Sequence, residues 1–219
     1  MSTGFERLQQ AIAQGDHAAL AQALAEDPAL AHARAADGSS ALMLALYYRQ
    51  PAMAAAIAEY RPLDFHEAVA LGRLAPVAAE LARKPELARA YAADGFSALA
   101  LAVYFGQLPM AALLLAHGAD VNAAARNAMR VAPIHAALTH PEAQALPLLH
   151  LLLAFGAAVD ARQQQGWTAL HSAVHRDQPQ TIRALLLAGA DPEQPADDGR
   201  SARAMAQAEG RTAALSALG

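Results

Sequence analysis

The fold is decided by residues 166–189, which read GWTALHSAVHRDQPQTIRALLLAG. Leu170 and Ala173 are spaced to lie on one face of an α-helix, and Thr168 stands before them as a helix N-cap. A leucine-rich run later in the segment predicts a second short helix, which Gly189 ends in a left-handed conformation. Because helices this short are unstable alone in water, we expect them to be stabilised by packing on further copies of the unit.

The chain contains further copies of this unit. Residues 28–50 read PALAHARAADGSSALMLALYYRQ and residues 85–107 read PELARAYAADGFSALALAVYFGQ, which indicates an internal duplication. Each unit has one apolar position, and an alanine follows it three residues later. The apolar positions are Leu8, Leu42, Phe65, Leu99, Ile134, Leu170 and, with a polar residue in the same place, Arg203. The alanines are Ala11, Ala45, Ala68, Ala102, Ala137, Ala173 and Ala206. A small residue in the same place in every unit indicates that neighbouring helices approach closely there.

The unit resembles the ankyrin repeat, whose pattern is G-x-T-P-L-H-x-A followed by a second helix ending L-L-x-x-G-A-D-x-N. The second half stands here as LLAHGADVN at residues 114–122, LLAFGAAVD at residues 152–160 and LLAGAD at residues 186–191. The resemblance runs from about residue 5 to residue 218. It implies an all-α fold, an ankyrin-repeat solenoid of about seven helix-turn-helix units whose first and last units act as caps.

The resemblance also predicts the domain organisation. We expect a single ankyrin repeat domain over residues 1–219, with units near residues 5–36, 37–62, 63–93, 94–126, 127–162, 163–196 and 197–219. The segments DPAL at residues 27–30 and KPEL at residues 84–87 predict an extra turn before the hairpin. The interval from Leu42 to Phe65 is too short for a full unit, so we expect the connecting hairpin there to be missing or truncated. The polar last unit predicts a monomer.

The composition limits the classes of function. The 219 residues contain no cysteine, which excludes disulfides, cysteine-ligated metals and a cysteine nucleophile. The formal net charge is −4 and no basic stripe is present, so we expect no nucleic-acid partner. The sequence shows neither a signal peptide nor an apolar run long enough to span a bilayer, so we expect a cytoplasmic protein with no membrane partner. The alanine- and arginine-rich, lysine-poor composition is typical of a high-GC bacterial genome and predicts a bacterial source.

The sequence lacks the common catalytic motifs, so we expect a protein that is not an enzyme and that needs no cofactor. The motifs of serine hydrolases, nucleotide-binding loops and zinc proteases do not occur. Ser40 and Ser97 each follow a turn glycine and are interpreted as helix caps rather than nucleophiles. His171 and His175 are spaced to lie on one helix face, but no third ligand is placed beside them, so we expect no metal site.

The resemblance places the partner-binding residues around the turn glycine and at the end of the first helix, on a concave face. Carried over to this sequence, these positions are Ser39, Tyr47, Tyr48, Phe96, Tyr104, Phe105, Trp167, His175 and Arg176. Six of the eleven aromatic residues occupy them. Since Tyr and Trp are enriched at interface hot spots, we expect an aromatic patch that binds a protein segment. The alternative is that the tyrosines and Phe105 fill space between repeats.

These observations predict a non-catalytic protein–protein interaction module or scaffold, whose concave groove binds a protein partner through aromatic residues. The alternative is a small-molecule or metal-sensing regulatory protein that uses the same groove. The sequence does not identify the partner, and a host-directed effector and a housekeeping scaffold stay equally open.

Overall fold

The computed structural model describes residues 4–219, and its regular elements within that range are helices. There are 14 α-helices and three short 3-10 helices, and the only β pairing in the described range consists of isolated bridges. The bridges join Arg34 to Ser40, Tyr91 to Ser97, and Pro195 to Ser201. No helix of residues 4–219 combines the length and the apolar character needed to cross a membrane. The expected all-α class is confirmed.

The chain divides into two compact units, Met1–Ala70 and Leu71–Gly219. The first unit contains α1 (Gly4–Gln14), α2 (His17–Glu26), a 3-10 helix (Pro28–His32), α3 (Ala41–Tyr47), α4 (Pro51–Ala58) and α5 (Phe65–Ala70). Within this unit α1 packs on α2 and on α3, and α3 packs on α4. This is the pattern of stacked helical hairpins.

The second unit repeats the same arrangement more often. It contains α6 (Leu74–Arg83), a 3-10 helix (Pro85–Arg89), α7 (Ala98–Tyr104), α8 (Leu108–Ala116), α9 (Pro133–Ala137), α10 (Glu142–Ala154), a 3-10 helix (Gln164–Gly166), α11 (Ala169–His175), α12 (Pro179–Leu187), α13 (Ala202–Ala208) and α14 (Thr212–Leu218). First helices pack on first helices of the next repeat, as α7 does on α9 and α11 does on α13. Second helices do the same, as α10 does on α12 and α12 does on α14.

The apolar and alanine positions form the core of each unit. The six apolar side chains from Leu8 to Leu170 are at most 7% exposed, and so are all seven alanines. An alanine side chain ends at Cβ, so two helix backbones can approach closely at each of these positions. In the last repeat Arg203 is half-buried, and its Nε donates to Glu193 Oε1 at 2.7 Å.

Polar side chains begin the first helices, as the sequence predicts. Ser40 and Ser97 are the N-caps of α3 and α7, and each hydroxyl accepts the N–H of the residue three positions on at 3.1 Å. The extra turns expected from the two proline-containing segments are the 3-10 helices Pro28–His32 and Pro85–Arg89. The cap interpretation of both serines is confirmed.

The connection between α4 and α5 is short. Residues 59–64 join the two helices directly, without the hairpin that precedes α7 or α13. This agrees with the short interval between Leu42 and Phe65. The hydrogen bonds that a hairpin would have supplied are made instead by side chains, which are described below.

One repeat forms its turn without glycine. Arg130 occupies the place of Gly95 and Gly166 in the neighbouring repeats, and it has a φ of 52°, in the left-handed region. A residue with a Cβ adopts this conformation at a cost of about 1–2 kcal/mol. The turn before α9 is therefore a point of backbone strain.

Candidate functional site

Trp167 lies at the start of α11, next to two histidines. Its ring stacks on the imidazole of His171, with the ring centres 6.1 Å apart and an interplanar angle of 28°. The ring also meets His175 edge-on, with the centres 5.6 Å apart. We call these three residues the Trp167 cluster. His171 is fully buried, Trp167 is half-buried and His175 is exposed, so the cluster runs from the core of the repeat to its surface.

His171 fixes the base of the Trp167 cluster. Its Nδ1 accepts the backbone N–H of Thr168 at 3.2 Å, and its Nε2 donates to the carbonyl oxygen of Arg200 at 3.2 Å. One nitrogen that accepts and one that donates describe a neutral imidazole. Burial lowers the pKa of His171 below its ordinary value of 6.5, and the hydrogen bond to Arg200 offsets that only in part. Nδ1 thus caps the start of α11, and Nε2 ties this repeat to the next.

The outer end of the Trp167 cluster is polar. His175 Nδ1 lies 3.5 Å from Glu209 Oε2, and Arg211 Nε donates to the same carboxylate oxygen at 3.0 Å. Arg176 follows His175 at the end of α11 and is exposed. An aromatic ring is therefore bordered by polar groups that solvent can reach.

Tyr104 and Phe105 form a second aromatic feature, at the end of α7. Their ring centres are 5.1 Å apart and their planes are nearly perpendicular, at 86°. Tyr104 is 37% exposed, and Phe105 is half-buried. The backbone is tied to the next repeat here, because His140 Nε2 bonds the carbonyl oxygen of Val103 at 2.8 Å. We call Tyr104 and Phe105 the Tyr104 pair.

The remaining predicted residues differ in exposure. Phe96 is half-buried in the turn before α7. In the first unit Tyr47 is half-buried and Tyr48 is 53% exposed. Ser39 is only 2% exposed, and its N–H is bonded to Asp37 Oδ1 at 2.9 Å, so its side chain offers little surface to a partner.

Five of the nine predicted residues are thus brought together in two places of the second unit. The Trp167 cluster joins Trp167 to His175, and Arg176 follows directly in the chain. The Tyr104 pair joins Tyr104 to Phe105. The rings that Trp167 contacts are those of His171 and His175, so these two places are separate features of different repeats.

The first unit also contains a buried charged network that was not predicted from the sequence. Arg61 Nη1 donates to Glu67 Oε2 at 2.7 Å and Nη2 donates to Glu67 Oε1, while Nε bonds the carbonyl oxygen of Ala31 at 2.7 Å. Ser40 Oγ donates to Glu67 Oε1 at 2.6 Å. Asp64 and Glu67 form a reciprocal capping box, each accepting the other's N–H at 2.9–3.0 Å. We call Ser40, Arg61, Asp64 and Glu67 the Glu67 network.

The Arg61–Glu67 ion pair at the centre of the Glu67 network is closed to solvent. The side chains of Arg61 and Glu67 are 8% and 0% exposed. Burial by itself would raise the pKa of the Glu67 carboxyl, but the hydrogen bonds from Arg61, Ser40 and the Asp64 backbone outweigh it, so the pKa lies below its ordinary value of 4.5. The hydrogen bond to Glu67 raises the pKa of Arg61. All three guanidinium nitrogens of Arg61 and both carboxylate oxygens of Glu67 are bonded within the chain, so the pair offers no group to a partner. The spacing Asp64-x-x-Glu67 was the sequence signal that could have identified it.

Within residues 4–219, no group of three or more His, Asp or Glu side chains is placed to hold a metal ion. His171 and His175 do flank one ring, but both nitrogens of His171 are already bonded to backbone groups.

Comparison with protein families gives matches in the second unit. The family model described as "Ankyrin repeats (many copies)" matches residues 134–186. The model described as "Ankyrin repeat" matches residues 94–126. The first range contains the Trp167 cluster and the second contains the Tyr104 pair.

The chain is also similar to parts of curated proteins, one of which carries the ankyrin repeat in its name. The chain is 39% identical over 98 residues to the B-cell lymphoma 3 protein homolog of Mus musculus, which covers 45% of this chain and 21% of that protein. It is 40% identical over 110 residues to the Ankyrin repeat and SOCS box protein 6 of Homo sapiens, covering 48% and 25%. It is 36% identical over 99 residues to the Nuclear factor NF-kappa-B p105 subunit of Mus musculus, covering 45% and 10%. The chain thus spans a quarter or less of the length of these relatives.

Proposed function

Because the chain is an ankyrin repeat protein, and such repeats indicate a protein–protein interaction module, we propose that it binds a protein partner through the aromatic residues of its second unit. The observation that carries this proposal is the Trp167 cluster. A tryptophan held at the start of a helix, half in the core and half at the surface, is suited to contact a partner.

The packing of Trp167 favours binding energetically. Ordering a free side chain at an interface costs about 0.5–1.5 kcal/mol. Trp167 is already stacked on His171, and His171 is fixed by two backbone hydrogen bonds, so little of this cost remains to be met on binding. The exposed His175 and Arg176 beside the ring supply polar groups for hydrogen bonds to the partner.

The Tyr104 pair extends the proposed contact to a second repeat. Tyr104 is more than a third exposed, and its edge-to-face packing on Phe105 restricts its ring. Phe96, in the turn before the same helix, is the third aromatic residue of this repeat. Aromatic residues in two repeats suit a partner segment that contacts more than one repeat.

The chemistry of the surface favours a protein partner over other classes. The net charge of −4 gives no general attraction to the phosphates of nucleic acids or of anionic lipids. Ankyrin repeats serve in general as non-enzymatic interaction modules, and we propose no catalytic reaction and no cofactor for this chain. We propose that it acts as a monomer in the cytoplasm.

The proposal is tested by capture of partners from a lysate of the source organism. The immobilised protein is compared with Trp167→Ala, Tyr104→Ala and the matched control Phe155→Ala, which removes a ring 49% exposed outside the predicted positions. We expect Trp167→Ala and Tyr104→Ala to lose a partner that the unchanged protein and Phe155→Ala both retain. Circular dichroism should show equal helical content in all four proteins.

Two results would contradict the proposal. Retention of the same partners by Trp167→Ala and Tyr104→Ala would show that the aromatic residues do not bind them. Loss of helical signal in both variants would show that these rings are packing residues. A thermal-shift screen addresses the sensing alternative, since a small molecule or Zn²⁺ that binds the folded chain raises its melting temperature.

A further inference from the structure

The second helices of the second unit carry a surface that the proposed function does not use. Four residues of α12, Gln180, Arg183, Ala184 and Leu187, recur at intervals of three and four and therefore share one helix face. Leu187 is 91% exposed, so a large apolar side chain stands almost entirely in solvent. A helix face of this kind lacks a covering element within its own repeat.

The neighbouring helix completes a groove. Leu146 and His150 lie one turn apart on α10, which packs on α12. Together with the α12 face and Ala188 they line an open depression of about 530 Å³. We call it the outer groove. Its lining includes Ala184 and Ala188, whose small side chains let another backbone approach closely.

The ionisable groups in the outer groove are basic. Its lining contains Arg183 and His150 and no carboxylate. Arg183 is exposed and forms no ion pair with any residue of the described range 4–219. Three carboxylates lie within four residues of the lining in sequence, and each accepts backbone N–H groups: Glu142 from Gln180 and Thr181, Asp177 from Ala214, and Asp191 from Glu193. The free charge in the groove is positive.

We infer that the outer groove binds an amphipathic helix of a partner protein, whose leucine-type side chains cover Leu187 and Leu146 and whose glutamate or aspartate pairs with Arg183. Helices dock in grooves through residues spaced three and four apart, which is the spacing that α12 presents. This surface contains none of the aromatic residues of the proposed function. The chain would therefore carry two separate binding surfaces.

The charge complementarity identifies the occupant. An apolar helix with basic flanks would place like charges beside Arg183, and a purely apolar helix would leave Arg183 without a counter-charge. An acidic amphipathic helix satisfies both parts of the groove, since its apolar stripe covers the leucines and its carboxylates reach the guanidinium group.

The test uses two synthetic fluorescein-labelled peptides and the full chain. One peptide is built from leucine, alanine and glutamate, with leucines three and four residues apart. The other has lysine in place of every glutamate. Fluorescence anisotropy is measured with the unchanged protein, with Leu187→Asp and Arg183→Glu, and with Leu74→Asp as a matched control, because Leu74 is an exposed leucine of α6.

We expect the glutamate peptide to bind more tightly than the lysine peptide. Leu187→Asp and Arg183→Glu should each weaken the glutamate peptide by about tenfold or more, which corresponds to about 1.4 kcal/mol. Arg183→Glu should strengthen the lysine peptide, and a gain of binding cannot result from misfolding. Leu74→Asp and Trp167→Ala should bind both peptides as the unchanged protein does.

Three outcomes would overturn the inference. The first is equal binding of the two peptides, or no binding of either below about 1 mM. The second is an equal loss of binding in Leu74→Asp or Trp167→Ala, which would remove the assignment to this groove. The third is a dimer of the unchanged protein that Leu187→Asp dissociates in analytical ultracentrifugation, which would show that a second copy of the chain covers the groove.

Discussion

The backbone N–H groups at the starts of α5 and α11 are bonded by different kinds of side chain. At α11 the neutral imidazole of His171 accepts the N–H of Thr168 and donates to a carbonyl oxygen of the next turn. At α5 the Glu67 carboxylate accepts the N–H of Asp64 and is held by Arg61, a buried ion pair. The arrangement at α11 is uncharged, and the arrangement at α5 places two charges out of contact with water.

The difference follows from whether a hairpin is present. Ser97 precedes α7 and donates to the carbonyl oxygen of Ala123 at 3.4 Å, a backbone acceptor in the following turn. Ser40, its duplicate, precedes the short connection 59–64 and donates instead to Glu67 Oε1 at 2.6 Å. Where a turn supplies backbone carbonyls, a neutral group can bond to them. Where it is missing, charged side chains supply both the donors and the acceptors.

The comparison also bears on function. The imidazole of His171 bonds backbone groups through its nitrogens and stacks on Trp167 with its face. The group that ties two repeats together therefore also orients the proposed binding residue. The Arg61–Glu67 ion pair is enclosed, and the Glu67 network presents no ring to a partner. The candidate binding site therefore lies where the repeat is complete.

The largest expected effect is at the Glu67 network. Glu67→Ala leaves the buried Arg61 guanidinium without its carboxylate, and breaking a buried ion pair in this way costs about 3–5 kcal/mol. We expect the free energy of unfolding, measured with urea, to fall by that amount. Glu59→Ala, in the same connection but exposed, should change it little. A loss under about 1 kcal/mol for Glu67→Ala would mean that the network does not replace the hairpin.

A smaller loss of stability is expected from substitution of His171. His171→Leu leaves the N–H of Thr168 and the carbonyl of Arg200 without a partner, and an unsatisfied buried group costs about 1–3 kcal/mol. Tryptophan fluorescence should change as well, because Trp167 is the single tryptophan and loses the ring it stacks on. His117→Leu, at an exposed histidine, serves as the control. Unaltered fluorescence in His171→Leu would disprove the orienting role.

The contributions of the buried histidines and of Glu67 to stability should be lost in different pH ranges. Burial lowers the pKa of His135 and His171 below 6.5, so the unfolded chain binds these protons more readily, and stability is lost as the pH falls below about 6.5. Because the pKa of Glu67 is lowered, the contribution of Glu67 to the free energy of unfolding is lost only as the pH falls below about 4.5.

The free energy of unfolding is measured with urea at a series of pH values. His171→Leu should flatten the pH dependence near and below 6.5, and Glu67→Gln should flatten only the part below 4.5. The assignment is wrong if Glu67→Gln alters the upper range or if His171→Leu leaves it unaltered.

The smallest expected effect is a gain of stability. Arg130→Gly removes a left-handed residue that carries a Cβ, and we expect it to stabilise the chain by about 0.5–1 kcal/mol. Arg130→Ala keeps the Cβ and should give no such gain. A melting temperature that rises equally in both variants would mean that the arginine side chain, and not its backbone, is unfavourable.

Much of the repeat could be predicted from the sequence because it depends on local spacing. The apolar and alanine positions are buried, and the serine caps and the extra turns form where the residue patterns indicate. Each of these features is decided within a few residues of the chain. Periodicity and capping chemistry were therefore sufficient.

The Glu67 network and the outer groove could not be found in the same way. Glu67 bonds Ser40, a residue of another repeat, so its burial depends on tertiary packing that spacing does not encode. The contacts of the Trp167 ring with His171 and His175 depend on the orientation of the ring, which the spacing of these residues does not encode either. The exposure of Leu187 likewise depends on which helix stands beside α12.

Hydrogen exchange of the chain with and without its captured partner is the most direct test of the proposed binding surface. We expect slower exchange in residues 96–105 and 167–176, which contain the Tyr104 pair and the Trp167 cluster, and a loss of both effects in Trp167→Ala. A partner that slows exchange only in the first unit, and leaves both segments unchanged, would contradict it.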